Sequence, residues 1–119
     1  MSVKKQKREV RDYLNDIIKA VDDINEFSEK LTYADFQKDK KTIYAVIRCL
    51  EVIGEAIGKI PTEIKNRYKE IPWKEISGMR NKLIHEYFGV DTETVWYTIQ
   101  DDLSPLEQKV KLIFDSLAE

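Results

Sequence analysis

The chain predicts an all-α fold, an antiparallel bundle of four or five helices forming one domain over residues 1–119. Three observations carry that expectation. Apolar residues recur at spacings of three and four, the period of a helix with one buried face, and no alternating strand pattern competes. The chain has only 4 Gly and 3 Pro, too few turn formers for many short strands. Residues suited to helix starts and stops lie at the ends of the periodic segments.

The elements follow in order. Residues 1–7 are expected to be a flexible basic N-terminus. Val10, Leu14, Ile17, Val21, Ile24 and Leu31 form one apolar seam on a helix of about residues 8–31. Thr32 to Asp39 reads as a connection. Ile43, Val46, Ile47, Leu50, Ile53, Gly54 and Ile57 share a face of a second helix, about Lys40 to Lys59, which Pro61 ends. Gly54 and Gly58, four apart, suggest a close approach by another helix. Thr62 to Tyr68 forms a short helix or turn.

Pro72 suits the first turn of a third long helix, about Trp73 to Phe88, with Ile76, Met79, Leu83 and Tyr87 inward and Gly89 as its stop. Asp91 or Thr92 caps the last segment. Ile99, Leu103, Leu106, Val110, Ile113 and Leu117 keep one seam along it. Ser104-Pro105-Leu106-Glu107 matches a capping box, so this segment is expected to be kinked or in two pieces.

Composition narrows the function. A 42% apolar, 35% charged chain is that of a soluble globular protein, and its single cysteine excludes an intrachain disulfide. Cys49 lies among Val46, Ile47, Leu50 and Val52 and reads as a small buried residue rather than a nucleophile. With no signal peptide and no apolar run near ~20 residues, a cytoplasmic location without membrane attachment is expected. No Gly-rich phosphate loop and no metal-ligand cluster occurs, so neither a cofactor nor a metal is expected.

The net charge of −2 disfavours a general nucleic-acid binder, but the charge is unevenly spread. Residues 1–11 carry +4 and residues 59–85 carry +4, whereas residues 86–119 carry −6. The second basic stretch ends on Arg80-Asn81-Lys82-Leu83-Ile84-His85, followed by Glu86-Tyr87, which holds the only histidine. An arginine can hold a phosphate, an imidazole can move a proton near neutral pH, and a tyrosine offers a hydroxyl for modification.

On an ideal helix Arg80 and Tyr87 lie about 20° apart, whereas Arg80 and His85 lie about 140° apart around the axis. One helix therefore does not aim both at one small target, which suggests a site composed from two copies across a two-fold axis. Cleavage of RNA through its own 2′-hydroxyl needs a base, an acid and a charge stabiliser, and two histidines with two arginines would supply them. Set against this are plain structural roles: a capping histidine, a surface Arg80, a packed Tyr87. Arg48, Glu51 and Glu55, at helical spacing, read first as an intrahelical ion-pair set.

The Arg-(x)4-His-x-Tyr pattern of Arg80, His85 and Tyr87 resembles the signature of the HepT-like proteins, a branch of the HEPN superfamily. The resemblance extends through Ala45 to Ala56, Ile71-Pro72-Trp73, Tyr87 to Asp91, and Val95-Trp96 leading to Asp102-Leu103. It covers nearly the whole chain from about residue 8.

The resemblance implies a homodimeric helical bundle that cleaves RNA without a metal, with Arg80 and His85 as the catalytic pair. Asn81, Arg48 and Glu51 are assigned supporting roles. It further implies a toxin of a HepT/MntA-type (type VII) toxin–antitoxin module. The partner would be a small MntA-like nucleotidyltransferase antitoxin that transfers AMP to Tyr87. Two alternatives stay open: a non-catalytic nucleotide- or substrate-binding partner of a small nucleotidyltransferase, and a degenerate helical partner without activity.

Overall fold

The computed structural model describes residues 8–78 and 91–117, and every described secondary-structure element is helical. Among the described residues three long helices make the frame: α1 (Val10–Ser28), α3 (Lys40–Gly58) and α7 (Leu103–Ser116). Short helices occupy the connections: α2 (Tyr33–Lys38), α4 (Thr62–Arg67) and α6 (Thr92–Tyr97). Residues 73–78, helical up to the last described residue before position 79, are the described part of α5. The all-α bundle is as expected, with more short helices than the periodicity alone indicates.

Helix α1 is the centre of the frame, packing on α3 and on α7. Its predicted seam is buried: Leu14, Ile17, Val21 and Ile24 are fully inaccessible. Burying such side chains stabilises a fold by about 1.5–3 kcal/mol each. At its start, the Asp12 carboxylate accepts from the Glu9 backbone N–H at 2.8 Å, and the Asp12 N–H donates to the Glu9 backbone carbonyl at 2.9 Å. It ends at Ser28, earlier than the seam suggests, where the buried Ser28 hydroxyl donates to the Ile24 carbonyl at 2.8 Å. Leu31 lies beyond the helix yet still packs against the core.

The expected connection at residues 32–39 contains α2. Thr32 accepts from the Asp35 N–H, and the Asp35 carboxylate accepts from the Thr32 N–H at 3.1 Å, closing a capping box. The helix exists to bury Phe36, which packs on Trp96 with ring centroids 5.2 Å apart. In α3 the anticipated face is inward, and Gly54 is buried. Gly58 differs from expectation: a side chain there would meet nothing within 4 Å.

The last segment corrects a prediction. Asp91 caps α6 as expected, accepting from the Thr94 N–H at 3.1 Å. Ser104 caps nothing. A π-helical turn, Thr98–Asp102, joins α6 directly to α7. Proline at 105 has no N–H to donate to the Asp101 carbonyl and would crowd it in a regular helix. The wider turn just before it relieves that conflict while Ile99, Leu103 and Leu106 stay at most 5% exposed. The seam outweighs the local capping signal.

Candidate functional site at the head of α5

The signature residues Arg80, Asn81, His85 and Tyr87, with Met79 and Leu83 of the predicted inward row, lie outside the described residues. So does the second half of the predicted Trp73–Phe88 helix. The structure does describe the chain that leads into them. Pro72 gives its carbonyl to the Ile76 N–H at 3.0 Å, which starts α5 one residue later, at Trp73. Trp73 is 8% exposed and its indole N–H donates to the Tyr68 carbonyl at 3.1 Å, anchoring the helix by its first residue. Ile71 is buried behind it, and Ile76 packs against the core.

Two depressions flank this anchored helix, and their charges are opposite. On one side Lys65 of α4 and Lys74 of α5 border a groove of about 360 Å3, together with Ile57, Trp73, Ser77 and Gly78. It runs to Gly78, two residues before Arg80. A side chain at Gly78 would meet nothing within 4 Å, so the backbone there is open to an approaching group. On the other side Glu75 and Asp102 border a cavity of about 290 Å3, floored by Leu50, Ile76 and Leu103 and reaching Thr98 in the π-helical turn. The Thr98 hydroxyl donates to the Thr94 carbonyl at 2.7 Å.

Burial, and then the charge of Asp101, pushes the Asp102 carboxyl above its ordinary value. A cation placed between these carboxylates would be favoured, and a phosphate opposed. The basic groove has the reverse preference. Polyanion binding is therefore suited to one flank of α5 only.

The remaining predicted residues have local roles. The guanidinium of Arg48 donates to Glu51 Oε1 at 3.1 Å along one face of α3, the ion-pair reading of that spacing. No described contact ties either residue to α5. Cys49 is half-buried rather than fully buried, and burial raises its thiol above the ordinary value, which suits a packing residue and not a nucleophile. No group of three potential metal ligands occurs among the described residues, and no described helix is long and apolar enough to cross a membrane.

Sequence reasoning overlooked Glu75, Thr98 and Asp102 as cavity residues. The closest signal was Pro105 placed against an unbroken seam, which demands some irregularity just upstream. It did not indicate that the irregularity would border a cavity.

Comparison with known proteins agrees with this architecture. The sequence model of the HepT-like family, described as ribonuclease HepT-like, matches residues 17–113. The chain is 47% identical over 113 residues to "Putative RNase MJ0125" of Methanocaldococcus jannaschii, covering 95% of this chain and 97% of that protein. It is 50% identical over 103 residues to "Probable ribonuclease HepT" of Thermococcus cleftensis, covering 87% and 94%. A third relative in M. jannaschii, "Gamma-glutamylcyclotransferase and putative RNase MJ0434", is 39% identical over 111 residues, which make up 50% of its length. No solved structure matches the chain. A match spanning all three long helices and the motif segment between them establishes the family: the chain belongs to the HepT-like ribonucleases.

Proposed function

We propose that the protein is a metal-independent endoribonuclease, the toxin of a HepT/MntA-type module, acting in a cleft composed by two copies of the chain. The observation that carries this reading is the basic groove bordered by Lys65 and Lys74, which runs along α5 to Gly78, two residues before Arg80 in the sequence. Membership in a ribonuclease family makes an RNA backbone its natural occupant.

In this mechanism the lysines hold phosphates on either side of the scissile bond. His85 of one copy takes the proton from the 2′-hydroxyl, and the oxygen attacks phosphorus. His85 of the other copy gives a proton to the departing 5′-oxygen, leaving a 2′,3′-cyclic phosphate. Arg80 stabilises the charge that builds on the non-bridging oxygens. Imidazole alone supplies the proton transfers, so the route needs no metal. Asn81, and less directly the Arg48–Glu51 pair, support the site. AMP transferred to Tyr87 by a small nucleotidyltransferase would place a phosphodiester charge and bulk beside Arg80, closing the cleft to RNA.

Single His85→Ala and Arg80→Ala variants test the reading. Each is expected to keep the helical fold and lose at least about a hundredfold in cleavage. Cleavage by wild type is expected to persist in a chelator, with cyclic phosphate ends identified by mass spectrometry. Wild-type cutting by His85→Ala refutes the mechanism. Nucleotide binding by wild type without any RNA cleavage would favour the non-catalytic partner instead.

A further inference from the structure

The basic groove beside α5 is low-walled at one end because position 78 carries no side chain. We propose that Gly78 is a specificity residue: the gap it leaves seats the sugar–phosphate backbone of RNA against α5, within reach of Lys65 and Lys74. The inference rests on the ribonuclease reading above and adds to it the residue that sets how closely the substrate lies. The fold itself does not ask for glycine there. Residue 78 is helical, its backbone is not left-handed, and an added Cβ would meet nothing within 4 Å. Glycine is the poorest helix former after proline, because it loses the most backbone freedom on folding. At this position it weakens the helix and relieves no crowding, so packing gives no reason for it.

The groove supplies a reason. Gly78 borders the depression of about 360 Å3 together with Lys65, Lys74, Ser77, Ile57 and Trp73, and no described carboxylate lies on its rim. Neither lysine has an ion-pair partner among the described residues, so both ammonium groups can take a phosphate. Where a helix has no Cβ, a phosphate oxygen or a ribose can come up against the peptide itself, a close approach that a larger residue prevents. The walls offer little to a base. Ile57 and Trp73 are buried, and the indole N–H of Trp73 is already given to the Tyr68 carbonyl. That leaves two ammonium groups, the Ser77 hydroxyl and the bare backbone at 78, groups that recognise phosphate and sugar and carry no base identity. The substrate class on this flank is therefore a ribose–phosphate chain held without regard to sequence.

Gly78→Ala and Gly78→Leu test this in the full chain, since both replacements favour helix and neither meets a neighbour at Cβ. Gly78→Ala should unfold about 4 °C above wild type, and Gly78→Leu no lower than wild type. Binding is read by fluorescence anisotropy with a 2′-O-methylated single-stranded RNA, which cannot be cut through its 2′-hydroxyl. Gly78→Leu should bind it about tenfold more weakly, the worth of one charge-assisted contact. The slope of log affinity against log salt should flatten by about 0.7 as one phosphate is lifted from the lysines. Gly78→Ala should fall between wild type and Gly78→Leu. On cleavable RNA, Gly78→Leu should raise KM and leave kcat near the wild-type value. A fall in kcat at unchanged affinity overturns the proposal, since the effect would then lie in the motif that follows. Melting of both variants below wild type overturns it equally, because the fold would then require the glycine. Wild type that neither binds nor cuts RNA removes the ribonuclease reading and this inference with it. Wild-type binding that Gly78→Leu leaves unchanged removes the inference alone.

Discussion

The two flanks of α5 are built from the same helical segment yet are suited to opposite ligands. Lys65 and Lys74 border one groove, and Glu75 and Asp102 border the other. Lys74 and Glu75 are adjacent in sequence, so about 100° of helical rotation between neighbours is enough to send their charges to different sides. The helix between them is held by Trp73, which is buried and donates its indole N–H to the Tyr68 carbonyl. One turn or two of helix can thus carry a groove suited to polyanions on one side and a cavity with an acidic rim on the other.

The largest expected effect comes from removing that anchor. Trp73→Ala forfeits the buried indole and its bond to the Tyr68 carbonyl and should cost about 3–5 kcal/mol in chemical denaturation. Leu50→Ala, on the opposite side, truncates a side chain that already borders a 290 Å3 cavity. It should cost nearer about 2 kcal/mol, because fewer packing contacts are lost. Equal losses would mean that the flanks are packed alike.

Reversing charge on the basic flank separates the sides by function. Lys65→Glu/Lys74→Glu should weaken RNA binding about tenfold, with folding intact. It should flatten the dependence of log affinity on log salt by about 0.7 for each lost phosphate contact on single-stranded RNA. Unchanged salt dependence in a filter-binding titration would place the RNA elsewhere.

Asp91→Ala removes the cap of α6, where the segment bordering the acidic flank begins, and should cost about 1 kcal/mol by thermal or urea unfolding. A smaller, pH-dependent effect is expected on α7 away from both flanks. Glu107 is pushed up by burial and then by the facing Asp22 carboxyl, partly opposed by Lys111 at 3.6 Å. A carboxyl with a raised folded-state pKa binds its proton more tightly when folded. Its presence therefore costs nothing at pH below the unfolded value of 4.5 and lowers stability as pH rises through the folded value. Glu107→Gln should accordingly unfold at a higher temperature than wild type at about pH 8 and match it at about pH 4. A gain that persists at low pH would point to packing instead of ionisation. The smallest effect is expected at Ser104, exposed and without a capping role: Ser104→Ala should change stability by less than about 0.5 kcal/mol.

These contrasts show which features were legible in the residues. The seams of α1, α3 and α7 were, because an amphipathic period over many residues leaves one way to bury the apolar face. The Asp91 cap was legible for the same local reason. Helix α2 escaped notice even though Thr32-Tyr33-Ala34-Asp35 is itself a capping signal, since six residues are too few to display a period. At Ser104 the local signal misled: a good capping sequence lost to the burial of Ile99, Leu103 and Leu106, and the chain widened into a π-helical turn instead.

The sequence by itself determined the all-α class, the long helices α1, α3 and α7, the basic stretch that ends on Arg80 and His85, and the motif that marks the family. Each of these is written in spacing or residue type along one segment. Only the tertiary structure decided that Glu75 and Asp102 border one cavity, that Lys65 joins Lys74 across two helices, and that the last segment continues through its proline. Those features belong to the space between elements. That space is set by how several buried faces fit together at once, which no single segment encodes.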